Sequence, residues 1–487
     1  MGRLRQITFV LFAAGYLVCC PLVLLYAFGY LIRPHAPDAL VRTGVLSLAT
    51  TPPGATVYLG RSRYTGRTPA VLTDLLPGIA HVTLSLKGYR PWRRALPIRA
   101  GQATSLPNIL LVPESWPSET LLEGPFDALL DIPGAGVCLL TRGRHLQDVT
   151  VISTSGRTAH RLAAPGSRWA EARLRSHVIA PRSAFVILFV STKEGERVLG
   201  FDLEADPPAV SDLTALVPRK PDWITWDPGW PGSLFILEDE RVSRVDLDAG
   251  AVYPSIATGV KGMGAGDRTL TVIRDPGRLE RLNARGEPAG PSVPLGPRAR
   301  ALIGERYWWR VIDLEEALLL FGEQGALVSL RPAEDVIRRG ARGVRPSRRL
   351  ARALVWDRER IGLVGGETAG SAAATADGME PARWLFTHGR DIEQVVWAHE
   401  ESHAVFRDRD LVRLLEMELY GPPRVHDVAE LKRHTAFAYD DKSGLLYFLD
   451  PERGSLRTIL LVPDPGGMSL EFGWTGRNPA PGRIQGE

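Results

Sequence analysis

From residue 120 to residue 462 the chain carries no sustained apolar repeat of 3.6 residues, which confines this span to β structure. Apolar residues come instead in short runs, among them 128–132, 137–140, 185–190, 234–237, 270–273, 361–364 and 445–449. Gly, Pro, Asp and Arg fill the gaps, the punctuation of strands joined by turns. At 487 residues the chain is too long for one ordinary domain, and its 44% apolar and 23% charged residues are those of folded protein. Three cysteines exclude a disulfide framework: Cys19 and Cys20 lie in an apolar stretch and leave Cys138 alone. Cys138, inside an apolar run, reads as a small core residue. The net charge of +4 is spread over many loops and selects no partner.

Beyond residue 119 one unit recurs. An apolar pair and an aromatic residue precede a polar turn, and a second apolar strand follows, at Trp226, Trp356, Trp397 and Tyr439. Trp356 and Trp397 stand 41 positions apart, Trp397 and Tyr439 42. A period of that size made of four short strands is one β-propeller blade. Divided by it, residues 120–463 predict six to eight blades, seven favoured. The units resemble those of TolB-like and quinoprotein-like propellers. Two stacked β-sandwiches are the alternative, but radial closure shields strand edges without disulfides.

Residues 44–113 form a separate block. Apolar and polar residues alternate at Val45, Leu46 and Leu48, at Val57 and Leu59, and at Val82, Leu84 and Leu86. Turn clusters at Pro52-Pro53-Gly54, Gly66 to Pro69, Pro77-Gly78 and Lys87-Gly88 separate them, as in a small β-sandwich. Four blocks carry a family likeness: Pro52 to Leu59; Gly66, Thr68 and Pro69; Leu75, Pro77 and Gly78; Gly88, Tyr89 and Trp92. In order and spacing they resemble the PEGA domain family over residues 44–112. The sequence departs from the family at Pro53, where it has Glu, and at Gly60-Arg61, where it has an Asp-Gly turn. The resemblance implies an extracytoplasmic, non-catalytic β module of bacterial envelope proteins.

Residues 7–32 contain no charge and are long enough to cross a bilayer with some tilt. They predict one transmembrane helix acting as a signal-anchor, after a cytoplasmic tail at 1–6 and before a linker at 33–43. Arg3, Arg5 and the α-amino group on one side, against Arg33 on the other, place the N-terminus in the cytoplasm and the bulk outside. A cleaved signal peptide competes, although its apolar region is normally shorter. Residues 464–487 read as a C-terminal tail.

Few stretches invite chemistry. His399, Glu400, Glu401, Ser402 and His403 spell H-E-x-x-H, which binds zinc only on a helix that sets both imidazoles on one face. Here the five residues fall where sister units place a turn, at 227–233 and 440–444, so a polar strand turn is expected. Arginines at 338, 339, 342, 345, 348, 349 and 352 form the densest charge run. It holds no aromatic residue for base stacking, so nucleic acid is not expected. The run reads as an exposed inter-blade loop, with anionic headgroups or acidic envelope polymers as the alternative neighbours. Residues 365–378 are rich in small side chains but lack a phosphate-loop Gly-Lys-Ser/Thr. Trp226, Trp356 and Trp397 are expected in the core, whereas Trp223, Trp230, Trp308 and Trp309 are free to line a propeller face.

The expected molecule is thus all-β behind one transmembrane helix: a PEGA-like sandwich, then a propeller presenting loops on a rigid frame. Its expected role is binding or scaffolding in the cell envelope, with a protein or polysaccharide partner. No catalytic, cofactor-binding or metal residue is assigned. The alternative is an enzyme processing envelope polysaccharide or peptide, with its site on the propeller face.

Overall fold

The computed structural model describes residues 2–27, 29–32, 40–132, 136–153, 159–180, 184–205, 208–227, 230, 232–266, 269–275, 277–303, 309–314, 317–331, 334–347, 349, 351–365, 382–417 and 421–463. They divide into two compact units, one running to Glu114 and the other spanning Ser115–Pro463. The expected tail at 464–487 lies outside the described residues.

In the first unit, Gly44–Thr51 is flanked by Ala70–Leu75 and, in parallel, by Ala103–Leu110. A second sheet holds Ser62–Arg67, Thr56–Leu59, Gly78–Ser85 and Trp92–Ile98 in that order. Leu46, Leu48 and Leu72 from one sheet and Val57, Val82, Leu84 and Leu96 from the other are buried, as the inner faces of a sandwich are. Each such side chain contributes about 1.5–3 kcal/mol of burial. The Gly-x-Thr-Pro block has a structural task. The buried Thr68 hydroxyl accepts the Ala55 N–H at 2.9 Å and meets the Thr50 hydroxyl at 2.5 Å, tying the Pro-Pro-Gly turn to the next strand. At the Gly60-Arg61 departure the chain still makes a two-residue hairpin, because Gly60 takes φ 59° between the paired Leu59 and Ser62.

The N-terminal helix runs Gly2–Ala27, not 7–32. Gly29, at φ 76°, ends it by donating its N–H to the Tyr26 carbonyl at 2.9 Å. Tyr30–Ile32 then pairs antiparallel with Leu40–Arg42, so part of the expected span and linker is a short hairpin. Among the described residues, whose side chains on this helix begin at Thr8, no helix is long and apolar enough to cross a membrane.

The second unit is a ring of eight four-stranded blades among the described residues, one more than the favoured seven. Blades one to three are built on the inner strands Ala128–Ile132, Arg173–Ile179 and Trp223–Trp226. Blades four to seven start at Val260–Gly266, Trp309–Asp313, Gly343–Pro346 and Ile392–Ala398. The eighth comprises Ala438–Asp440, Leu445–Leu449 and Leu456–Leu460, and takes its outer strand, Ser118–Leu122, from the start of the unit. Closure by a strand from the other end of the chain leaves that blade's outer strand paired.

Each shared core lies between consecutive blades, which rules out two stacked sandwiches. Leu139, Val151, Val186 and Leu199 join blades one and two; Phe406, Trp356 and Ile361 join six and seven. Phe126, Cys138 and Leu140 pack on Tyr447, Leu449 and Leu456, joining the eighth blade to the first. Blades four and five go further: their inner strands pair in parallel, Gly262 opposite Trp309 and Met263 opposite Arg310. A Cβ on Gly264 would stand 1.8 Å from the Val311 carbonyl oxygen, so the Gly-Met-Gly sequence is what permits this approach.

The structure also corrects the repeat register. Trp226, Trp397 and Tyr439 lie on inner strands and pair with Leu234, Ala404 and Leu446 across the first turn of their blades. Trp356 instead ends the second strand, Arg352–Trp356, and pairs with Ile361. Any hairpin of a blade yields an aromatic, a polar turn and an apolar strand, so the 41-residue spacing joined unlike positions.

Candidate functional site

The H-E-x-x-H sequence forms the turn between Ile392–Ala398 and His403–Asp408, with Ala398 paired to His403. His399, Glu400 and Glu401 take φ of 48°, 54° and 63°, a left-handed course that no helix follows. The two imidazoles lie edge to face, ring centres 5.5 Å apart, and both are buried. Burial, with His399 and His426 nearby, holds the His403 imidazole well below its ordinary pKa. The Ser402 hydroxyl donates to the His399 carbonyl at 2.6 Å and lies 2.9 Å from His403 Nδ1. With its own proton committed, that oxygen can only accept the ring N–H, the reverse of a base-activated nucleophile. Among the described residues no three His, Cys, Asp or Glu side chains converge as a metal site would require.

The arginine run is not an exposed loop. It covers the ends of Asp335–Arg338, Gly343–Pro346 and Arg352–Trp356, and most of its described guanidiniums tie blade six to its neighbours. Arg342 meets Asp391 at 2.8 Å and the Ile392 carbonyl at 3.0 Å. Arg338 pairs with buried Asp357 at 2.6 Å, and Arg349 with Glu400 at 3.2 Å. Arg352 donates to the Glu401 carbonyl at 2.6 Å and lies over the Trp397 ring, while Trp397 Nε1 donates to the Arg345 and Pro346 carbonyls at 3.2 Å. Ser347 bonds the Glu401 carboxylate. The polar turn and the arginine run are thus two halves of one seam between blades six and seven. Arg348 lies outside the described residues.

Of the tryptophans, Trp226 and Trp356 are buried and Trp397 is half-buried in the seam. Trp309, expected as a possible face residue, is buried in the core between blades four and five, with its ring against Gly322. Trp223 is half-buried and packs on the core between blades three and four, and Trp230 is exposed. Trp308 and residues 366–378 lie outside the described residues.

One concavity escaped the sequence reading. A cleft of about 630 Å³ lies where three loops meet: the approach to blade seven (Arg390), its second hairpin turn (Arg409, Asp410) and the passage to blade eight (Leu431, Lys432, Arg433). Asp408 organises it. Its buried carboxylate accepts the backbone N–H groups of Arg390 and Asp391, both at 2.8 Å, and pairs with Arg413 at 2.9 Å. Arg413 also meets Asp427 at 2.9 Å. Lys432 is held by the Phe126 carbonyl at 2.7 Å, whereas Arg433 reaches Asp410 only at 3.8 Å and is exposed. The signal available beforehand was Arg407-Asp408-Arg409-Asp410, whose alternating charges fall at a strand end.

Residues 43–111 match the PEGA domain family. No curated protein matches the chain. Among solved structures, BamB from Moraxella catarrhalis is 12% identical with a TM-score of 0.40, covering 70% of this chain and 99% of its own. The designed protein Ika8 is 10% identical with a TM-score of 0.41, covering 70% of this chain and 98% of its own. PorZ, a bacterial surface component of the type-IX secretion system of Porphyromonas gingivalis, is 11% identical with a TM-score of 0.38. That match covers 67% of this chain but only 42% of PorZ. The two-sheet core around Leu46 and Val57, the Thr68 tie and the family match agree: the segment 43–111 is a PEGA domain, followed in the chain by a β-propeller.

Proposed function

We propose that this chain is a membrane-anchored binding or scaffolding protein of the cell envelope, its N-terminus cytoplasmic, its PEGA domain and propeller extracytoplasmic, and without catalysis of its own. The observation that carries this reading is the helix Gly2–Ala27 ahead of the PEGA domain. It bears no charge after Arg5, and Phe9, Phe12 and Leu17 on it are 73–75% exposed. Apolar side chains so exposed call for a non-aqueous surrounding. The propeller supports the binding half: eight blades present many loops on a rigid frame, and recognition resides in such loops. Alkaline carbonate washing of membranes tests the anchor. The full chain stays in the pellet and a variant lacking residues 2–27 is released; release of the full chain would overturn the reading.

A further inference from the structure

The cleft between blades seven and eight has a composition that a merely solvated surface does not require. Five cationic side chains line it against three carboxylates, Asp408, Asp410 and Glu430. Asp408 is spent on Arg413 and on two backbone N–H groups, so it offers no charge to the opening. Arg390 and Arg409 are exposed, and Arg433 is 86% exposed; they come from three different loops. The same Asp408 contacts clamp the Arg390 loop to the hairpin that carries Arg409, so the backbones bearing these two arginines are held in fixed register. Leu411, Leu431 and Pro451 add apolar wall.

We propose that this cleft binds an acidic peptide segment of a partner protein, its carboxylates on Arg390, Arg409 and Arg433 and its apolar side chains on Leu411 and Pro451. Guanidinium forks match carboxylates in shape as well as charge. The mixture of cations with Asp410 and Glu430 suits a segment whose carboxylates alternate with uncharged residues. A flat anionic membrane would instead face both acids at once and could not step around them. At about 630 Å³ the cleft is the size of a ligand pocket, enough for a few residues in extended form. This inference rests on the binding reading above, yet fails separately. A chain that stays in the membrane pellet but shows no peptide affinity at this cleft sinks only the present proposal.

The test uses the full chain in detergent and a fluorescent peptide of alternating Glu and Leu, with the alternating Lys and Leu peptide as control. The acidic peptide binds and its affinity falls with salt, while the control does not bind. Arg390→Glu combined with Arg409→Gly, which keeps the left-handed turn, weakens binding by at least about tenfold, as expected for close charge pairs. Arg433→Glu, far from the packed core, gives a smaller loss in the same direction and guards against a folding artefact in the double variant. Equal binding of both peptides, or an affinity unmoved by these variants, overturns the proposal. So does binding of anionic lipid vesicles or inorganic phosphate at these arginines without binding of the acidic peptide.

Discussion

Gly264 shows how far one hydrogen atom can decide a blade interface. Gly264→Ala would set a methyl carbon 1.8 Å from the Val311 carbonyl, which forces the paired inner strands of blades four and five apart. The variant should lose several degrees of melting temperature or fail to accumulate, whereas Gly290→Ala, with open space around it, should shift stability by less than about 0.5 kcal/mol. His403 carries a pH signature. Its folded pKa lies below the ordinary 6.5, so the unfolded chain binds the proton more readily and stability falls as pH drops below that value. His177 is lowered by burial in the same sense, so His403→Gln should remove part, not all, of the acid-side slope of melting temperature against pH. Burial, with Asp131 nearby, pushes the Cys138 thiol up, so it should react with a thiol reagent only on unfolding.

At the scale of elements, the closing strand is the most exposed to test. Deleting residues 115–122 removes Ser118–Leu122 and leaves Leu456–Leu460 as a bare edge, so the propeller should unfold at lower temperature and aggregate. Arg352→Ala should loosen the seam between blades six and seven by about 1–3 kcal/mol, because it removes a charged donor from the Glu401 carbonyl and a cation from the Trp397 ring. Strand content was legible because period-two burial is written in the residues, nowhere more plainly than at Trp92–Ile98, where every second residue is buried. The PEGA turns were legible because Thr68 and Gly54 occupy positions that few other residues can fill. The eighth blade was not: its outer strand lies over three hundred positions from the strand it pairs with, and no local pattern records that. Nor was the cleft, since Arg390, Arg409 and Arg433 become neighbours only through the blade-to-blade geometry that Asp408 fixes.

For the whole molecule, our proposal joins an N-terminal helix that carries no charge beyond Arg5 to two β units, a PEGA domain and a propeller, and puts these units on the far side of a membrane. Charge supports the direction, with Arg3 and Arg5 in the first turns of the helix and Arg33 beyond its end. Nothing in either unit needs a disulfide, so assembly does not depend on the redox state of the compartment. The most direct measurement is protease digestion of sealed membrane vesicles of known orientation. In right-side-out vesicles, with the periplasmic face outward, the PEGA domain and propeller should be cleaved from the helix, and in inverted vesicles they should be protected. Protection in the first and cleavage in the second would contradict the account.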